Sequence, residues 1–181
     1  LGFEFQHIRE KEIRDWCRDY FENRSPDYGF DLDKKKRILQ KLNEAVVFEN
    51  FLHKKFVGQK RFSLEGGENT IPALDAIIRR GSELGIEAVA VGMAHRGRLN
   101  VLANTLGKTY EYIFNEFEGI KDPDLSFGDG DVKYHLGFAS QLNLEEGRSV
   151  HLDLVPNPSH LEAVDPVVLG FSRAKADVMY S

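Results

Sequence analysis

A single cysteine, Cys17, in 181 residues rules out an internal disulfide and suits a reducing compartment. Beside Trp16 in an amphipathic pattern, its expected role is packing. The sequence has no run of about 18 apolar residues, so nothing in it reads as a membrane-spanning helix. It also lacks a surplus of positive charge. Lys and Arg number 24 against 29 Asp and Glu, a net charge of −5, which argues against nucleic-acid binding because that needs a basic footprint on phosphates. There is no internal repeat and no low-complexity tract. Residue 1 is not Met and no charged-then-apolar leader follows, so any targeting segment is expected to lie outside this chain. What is present is a 41% hydrophobic composition with 13 Phe, enough to bury a core of one domain or a little more.

Apolar residues recur near helical spacing over residues 8–22, at Ile8, Ile13, Trp16, Cys17, Tyr20 and Phe21, which predicts an amphipathic helix. Residues 23–29, with Pro26 and Gly29, read as a loop. A longer helix is expected from Asp33 to Phe56, with Ile38, Leu39, Leu42, Ala45, Val46, Phe51, Leu52 and Phe56 as its apolar stripe. Its lysines (Lys34, Lys35, Lys36, Lys41, Lys54) read as a solvated face rather than a partner surface. Composition shifts at Gly58–Gly67, where Arg61 to Glu68 predict a strand or extended entry and a tight turn. Thr70-Ile71-Pro72 then starts a helix with proline in its first turn. Ile71, Leu74, Ile77 and Ile78 should face a sheet, and Gly81 or Gly85 should end that helix.

The chain is organised around residues 86–108. Ile86, Val89 and Val91 predict a strand buried on both faces, followed by a polar loop and a short helix led by Asn100. His95, Arg96 and Arg98 fall just past the strand's carboxyl end, where open α/β sheets bind ligands, and Gly92 and Gly97 permit a tight turn there. Two forked guanidiniums beside an imidazole suit an anion. The plainer alternative is a pair of surface salt bridges beside a packed histidine. Farther on, Thr109 can cap a helix carrying Ile113, Phe114 and Phe117, with Gly119 past its end. Residues 120–130 read as a loop, and Val132, Tyr134 and Leu136 alternate as a short strand pointing His135 the other way. Val150, Leu152 and Leu154 form another strand. Ser159-His160-Leu161-Glu162 has the form of a capping box, opening a helix that Pro166 should break or kink. Alternation of helix and strand predicts a mostly parallel α/β sheet.

Other constellations are weaker. Gly128-Asp129-Gly130 with Asn157 looks at first like a magnesium-diphosphate pair, but no buried strand precedes Gly128 and Pro158 follows Asn157, so a turn is the better reading. His95, His135 and His160 lack metal-ligand spacing, so no metal ligand is assigned. Ser159 serves either as a helix cap or as a hydroxyl at an anion site. His7, His53 and His151 have no charged constellation around them.

Four motifs in order, Phe62-Ser63-Leu64-Glu65-Gly66-Gly67-Glu68, His95-Arg96-Gly97-Arg98-Leu99-Asn100-Val101-Leu102, Gly130-Asp131-Val132-Lys133-Tyr134-His135-Leu136-Gly137 and Asn157-Pro158-Ser159-His160-Leu161-Glu162-Ala163-Val164, closely resemble the thiamine-diphosphate-dependent E1 component of 2-oxoglutarate dehydrogenase. The resemblance runs over essentially the whole chain, which matches about a fifth of a full-length member. It implies amino-terminal amphipathic helices (residues 1–57) followed by the start of a thiamine-diphosphate-binding α/β domain (residues 58–181), truncated before the magnesium (Mg2+) ligands and inactive alone. The implied activity is oxidative decarboxylation of a 2-oxo diacid, with the succinyl group passed to a lipoyl-bearing E2 partner in the tricarboxylic acid cycle. A homodimer when full length is implied as well, in the cytoplasm of a bacterium or the mitochondrial matrix of a eukaryote. The resemblance assigns His95 and His135 to catalysis and substrate binding, Ser159 to substrate and cofactor, and Arg96 and Leu161 to the cofactor. Ala139 stands where some members carry a serine near the substrate, with Ser140 beside it as the alternative hydroxyl. Two other readings remain open at this point: a paralogue acting on 2-oxoadipate, and a non-catalytic assembly module.

Overall fold

The link between Phe138–Asn143 and Ser149–Leu154 is too short for a crossover, so these two strands must pair as a hairpin, and that hairpin is the framework of the fold. The computed structural model describes residues 2–23, 29–118 and 135–180. They fall into two compact units, residues 1–36 and 37–181.

In the first unit, α1 (Lys11–Glu22) buries Cys17, as its packing role requires. Trp16, by contrast, is 59% exposed and instead stacks on Tyr20 with ring centroids 4.9 Å apart. Phe3 stacks on Phe21 at 5.1 Å.

In the second unit, β1 (Ala88–Val91), β2 (Phe138–Asn143) and β3 (Ser149–Leu154) form a sheet of order β1-β3-β2. β1 runs parallel to β3, with Val91 opposite Leu154, and β2 runs antiparallel to β3, with Phe138 also opposite Leu154. The sheet is therefore mixed rather than mostly parallel. The strand expected at Val132–Leu136 is not where β2 lies: residues 131–134 are outside the described residues, and β2 begins at Phe138. Alternation on β3 sends Val150, Leu152 and Leu154 into the core, where they meet Leu99 and Leu102 of α4 (Arg98–Asn104), Ile113 and Phe117 of α5 (Tyr110–Glu118), and Ile71 and Ile78 of α3 (Thr70–Glu83). The helix α2 (Leu32–Lys55) adds Ala45, Phe48 and Leu52. On β1's other side, α6 (Asp165–Tyr180) approaches closely: a Cβ on Gly92 would stand 3.1 Å from Val168.

Several expectations shift by a few residues for identifiable reasons. Ile77 is 63% exposed rather than facing the sheet, because at about 100° per residue it falls some 60° beyond Leu74, off the stripe. On α2 the buried apolar positions are Ala45, Phe48, Leu52 and, just past its end, Phe56, whereas Leu39, Val46 and Phe51 are exposed. β1 is only half-buried and Ile86 is 47% exposed, since β1 stands at the edge of the described sheet. Of the two glycines offered as a stop for α3, Gly85 serves: its φ is +88°, its N–H reaches the Ser82 carbonyl at 3.1 Å, and the Ile86 N–H reaches that of Gly81 at 2.9 Å. Thr109 caps α5 through its Oγ1, which accepts from the Tyr112 N–H at 3.3 Å. Pro166 does not break a helix. Residues 159–164 form turns, Glu162 takes φ +64°, and α6 starts at Asp165, so Pro166 occupies the first turn, where its missing N–H costs nothing.

Two polar contacts hold this arrangement. Arg37 donates from Nε and Nη2 to both carboxylate oxygens of Asp75, each at 2.6 Å, joining α2 to α3. Partial burial pushes the Asp75 carboxyl upward, but the Arg37 fork, helped by Arg79 and Lys41, outweighs it and leaves the group below its ordinary 3.8. A depressed carboxyl contributes stability that is present above the unfolded value and lost as pH falls through the folded one. Asp75→Asn should therefore cost about 1–2 kcal/mol at neutral pH. In urea denaturation the gap from wild type should close as pH drops below 3.8; a gap unchanged in acid would remove this pair from the stability of the fold.

The second is a close approach. Gly97 has φ +75°, and a Cβ there would lie 2.4 Å from Leu64 Cδ1, while its N–H donates to the Phe62 carbonyl at 2.8 Å. Gly107, with φ +74°, has open space around it. Gly107→Ala should cost about 1–2 kcal/mol from backbone strain alone, and Gly97→Ala at least about 1 kcal/mol more from the clash. Equal denaturation midpoints for the two variants would show that Leu64 yields without cost.

Candidate active site

The pairing register brings three chain segments to one end of the sheet: the exit from β1 (Met93–Gly97), the entry to β2 (His135–Gly137) and the exit from β3 (Val155–Ser159). What joins them is Arg98. This residue is fully buried at the start of α4, and its guanidinium donates to the Met93 carbonyl at 2.9 Å, the Leu136 carbonyl at 2.9 Å and the Val155 carbonyl at 2.8 Å. No acidic group pairs with it among the described residues. Burial pushes the guanidinium down to about 10, which still leaves it cationic at neutral pH. The expectation that Arg98 offers its fork to an anionic ligand is therefore corrected: its donors are turned inward onto backbone carbonyls.

On this framework His135 meets Ser159, Nε2 to Oγ, at 2.5 Å. The imidazole accepts from or donates to the hydroxyl according to its tautomer. Ser159 therefore pairs with His135 and does not cap α6, which begins six residues later. Asn157, 8% exposed, binds the two histidine segments together: its backbone N–H donates to the His135 carbonyl at 3.1 Å and its Nδ2 to the Ala94 carbonyl at 3.2 Å. Its Oδ1 and His95 Nδ1 are buried without a hydrogen-bond partner among the described residues.

His95 is half-buried under the ring of Phe62, whose centroid lies 4.2 Å away at 32°. Phe62 has φ +45°, a conformation rare for a bulky side chain and one that accumulates at functional sites. The segment Arg61–Leu64, expected as a strand or extended entry, is an extended entry with no strand pairing. Arg96 is exposed and donates from Nη1 to the Ser63 carbonyl at 3.0 Å, which draws it toward this segment. Leu161 is 78% exposed. Ser140 lies on the core face of β2 between Phe138 and Leu142, and Ala139 lies on the opposite face across from Asp153. Among the described residues no three His, Cys, Asp or Glu are placed to hold a metal ion, and Gly128-Asp129-Gly130 lies outside them.

The sequence placed His95, Arg96 and Arg98 past one strand end but read His135 on a short strand and Ser159 at a helix start, and it missed Phe62 and the linking role of Asn157. The signal for Asn157 was slight, a polar residue straight after an apolar strand. For Phe62 there was none, since nothing in Phe-Ser-Leu marks a positive φ.

No family model matches the chain. The chain is 48% identical over 180 residues to proteins named 2-oxoglutarate dehydrogenase E1 component from Brucella canis, Brucella suis and Brucella abortus. That match takes in 99% of this chain and 18% of each relative. Over 99% of its length, then, the chain is similar to proteins named 2-oxoglutarate dehydrogenase E1 component, matching a segment less than one fifth as long as they are.

Proposed function

We propose that this chain supplies part of the substrate and cofactor site of a thiamine-diphosphate-dependent enzyme that oxidatively decarboxylates 2-oxoglutarate and passes the succinyl group to the lipoyl arm of an E2 component. The observation that carries the reading is the convergence of His95, His135 and Ser159 at one strand end, with Arg96 exposed beside them. In this reading residues 58–181 belong to a thiamine-diphosphate-binding α/β domain, residues 1–57 are a helical lead-in, and the intact protein is a homodimer in a bacterial cytoplasm. The magnesium ligands are supplied by residues other than these.

Arg96, Ser159 and Leu161 would hold the cofactor, Arg96 by charge, Ser159 by its hydroxyl and Leu161 by apolar cover. The cofactor supplies, when bound, the nucleophilic carbon and the electron sink that decarboxylation needs. What this chain's own residues do is recognise the substrate. A 2-oxo diacid carries a distal carboxylate that must find donors once it leaves water. His95 and His135 can donate to it whether neutral or protonated, and a protonated ring adds attraction. Ser159, fixed against His135, holds that ring in one orientation. Phe62 covers one face of His95 and limits its rotation.

A site built around donors for the second carboxylate should discriminate against a substrate without it, because those donors would be buried unpaired. In the full-length enzyme, His95→Ala and His135→Ala should each lower kcat/KM for 2-oxoglutarate by about tenfold or more while changing that for 2-oxovalerate little. Equal losses on both substrates would assign the histidines to cofactor chemistry or to the fold instead. Arg96→Ala should weaken thiamine diphosphate binding by about 1.5–3 kcal/mol, read by titration calorimetry at saturating magnesium. Wild-type affinity would take Arg96 out of the cofactor site.

A further inference from the structure

Beyond the residues that would touch substrate or cofactor, we infer that Arg98 is the positioning residue of this site: its buried guanidinium sets the relative placement of the segments that carry His95, His135 and Ser159. This rests on the functional reading above. Its three acceptors belong to three different segments. The Met93 carbonyl lies two residues before His95, the Leu136 carbonyl one residue after His135, and the Val155 carbonyl two residues before Asn157, which leads to Ser159. The planar fork fixes the directions of these bonds together, as no flexible ammonium can.

Two features separate this from ordinary core packing. First, the charge is buried without an acid beside it among the described residues, and burial alone lowers the guanidinium to about 10. An apolar residue would fill the same space at lower cost, so the cation is retained for the carbonyls it organises. Second, the acceptors are loop carbonyls at strand ends, outside the sheet's own ladder. None of the three segments pairs with another there except through Arg98, the Asn157 N–H to the His135 carbonyl at 3.1 Å, the Asn157 side chain to the Ala94 carbonyl at 3.2 Å, the Val155 N–H to the Val91 carbonyl at 3.0 Å and the contact of His135 with Ser159, among the bonds described. Removing the fork would free the loops while leaving β1, β2 and β3 paired through their own register.

The test uses the full-length holoenzyme with 2-oxoglutarate as the probe. Arg98→Lys keeps a cation but not the fork, and Arg98→Met keeps bulk alone. Because misplacement of a site by about 1 Å can cost as much as 100-fold, Arg98→Lys should lower kcat/KM by roughly tenfold or more, at a temperature well below its melting midpoint. The same substitution in a His95→Ala, His135→Ala, Ser159→Ala background should change kcat/KM by no more than about twofold, since its effect passes through those three side chains. An equal loss in both backgrounds would make Arg98 a general support of the fold and overturn the inference. Wild-type kinetics in Arg98→Lys would overturn it too, as would insoluble protein from both Arg98→Lys and Arg98→Met. The two readings fail separately: wild-type kinetics in the histidine variants removes the site itself, whereas impaired histidine variants beside an unimpaired Arg98→Lys remove only Arg98.

Discussion

A carboxylate in the middle of an amphipathic helix must be hydrogen-bonded or expelled, and the way Glu49 meets that demand shapes everything around the site. Glu49 is 8% exposed. A buried carboxylate left unpaired costs several kcal/mol, so its oxygens recruit donors from wherever the chain can bring them. They accept from Ser63 Oγ at 2.7 Å, the Leu64 N–H at 3.0 Å, Asn100 Nδ2 at 3.0 Å and Arg61 Nη1 at 3.4 Å. One side chain on α2 therefore pins both the segment Arg61–Leu64 and the helix α4. With Ser63 and Leu64 held there, the chain reaches Gly97 closely enough that a Cβ would meet the Leu64 side chain, and the Phe62 ring is set against His95 with its backbone at φ +45°. The strain at Phe62 persists because the Glu49 contacts and the Gly97 N–H over-determine its position.

Arg98 solves the opposite problem by similar means. Glu49 and Arg98 are not paired with each other; the first is surrounded mainly by neutral donors and the second by backbone carbonyls. Dipoles fixed by the fold replace water around each charge, which is possible only where several segments end together. For Arg98 the sign of the cost is clear. Its folded pKa lies below that of an unfolded arginine, so burying the cation opposes folding throughout the range below about 10 and is relieved only as pH rises through that value. The network extends outward through Asn100 Oδ1, which accepts from Asn104 Nδ2 at 2.7 Å, and Asn104 Oδ1, which accepts from the Tyr110 hydroxyl at 3.0 Å. Stability spent on these buried polar groups is returned as a single arrangement of α2, α4 and α5.

How much of this could be read beforehand follows from which forces are local. The helices were legible because apolar spacing, a proline in the first turn and glycine at the end act within a few residues of one another, as Thr70, Pro72 and Gly85 do in α3. β3 was legible from Val150, Leu152 and Leu154. β2 was not, since in Phe-Ala-Ser-Gln-Leu-Asn only Phe138 and Leu142 are strongly apolar on the inward face, and a strand supported by one partner needs little more. The position of His95, Arg96 and Arg98 past a strand end was legible; the inward turn of Arg98 was not. Two arginines separated by one glycine look equivalent in sequence. Helix geometry decides between them: Arg98 is the first residue of α4 and faces the core, while Arg96 precedes Gly97 and its φ of +75° and stays outside.

Ser159 shows why a side chain with a distant partner resists local reading. Ser-x-x-Glu is a capping signal because a hydroxyl can accept from a free N–H three residues on. The same hydroxyl can pair with an imidazole brought from 24 residues away, and sequence spacing carries no information about that partner. Two local facts tip the competition. Glu162 adopts φ +64°, which a helix that began at Ser159 could not contain, and Pro166 is best accommodated in a first turn, which moves the start of α6 to Asp165. Once the helix starts there, Ser159 has no N–H of that helix within reach and its hydroxyl is available to His135. Proline and a left-handed glutamate, neither of them in contact with His135, thus decide that a serine with the signature of a cap pairs with an imidazole instead.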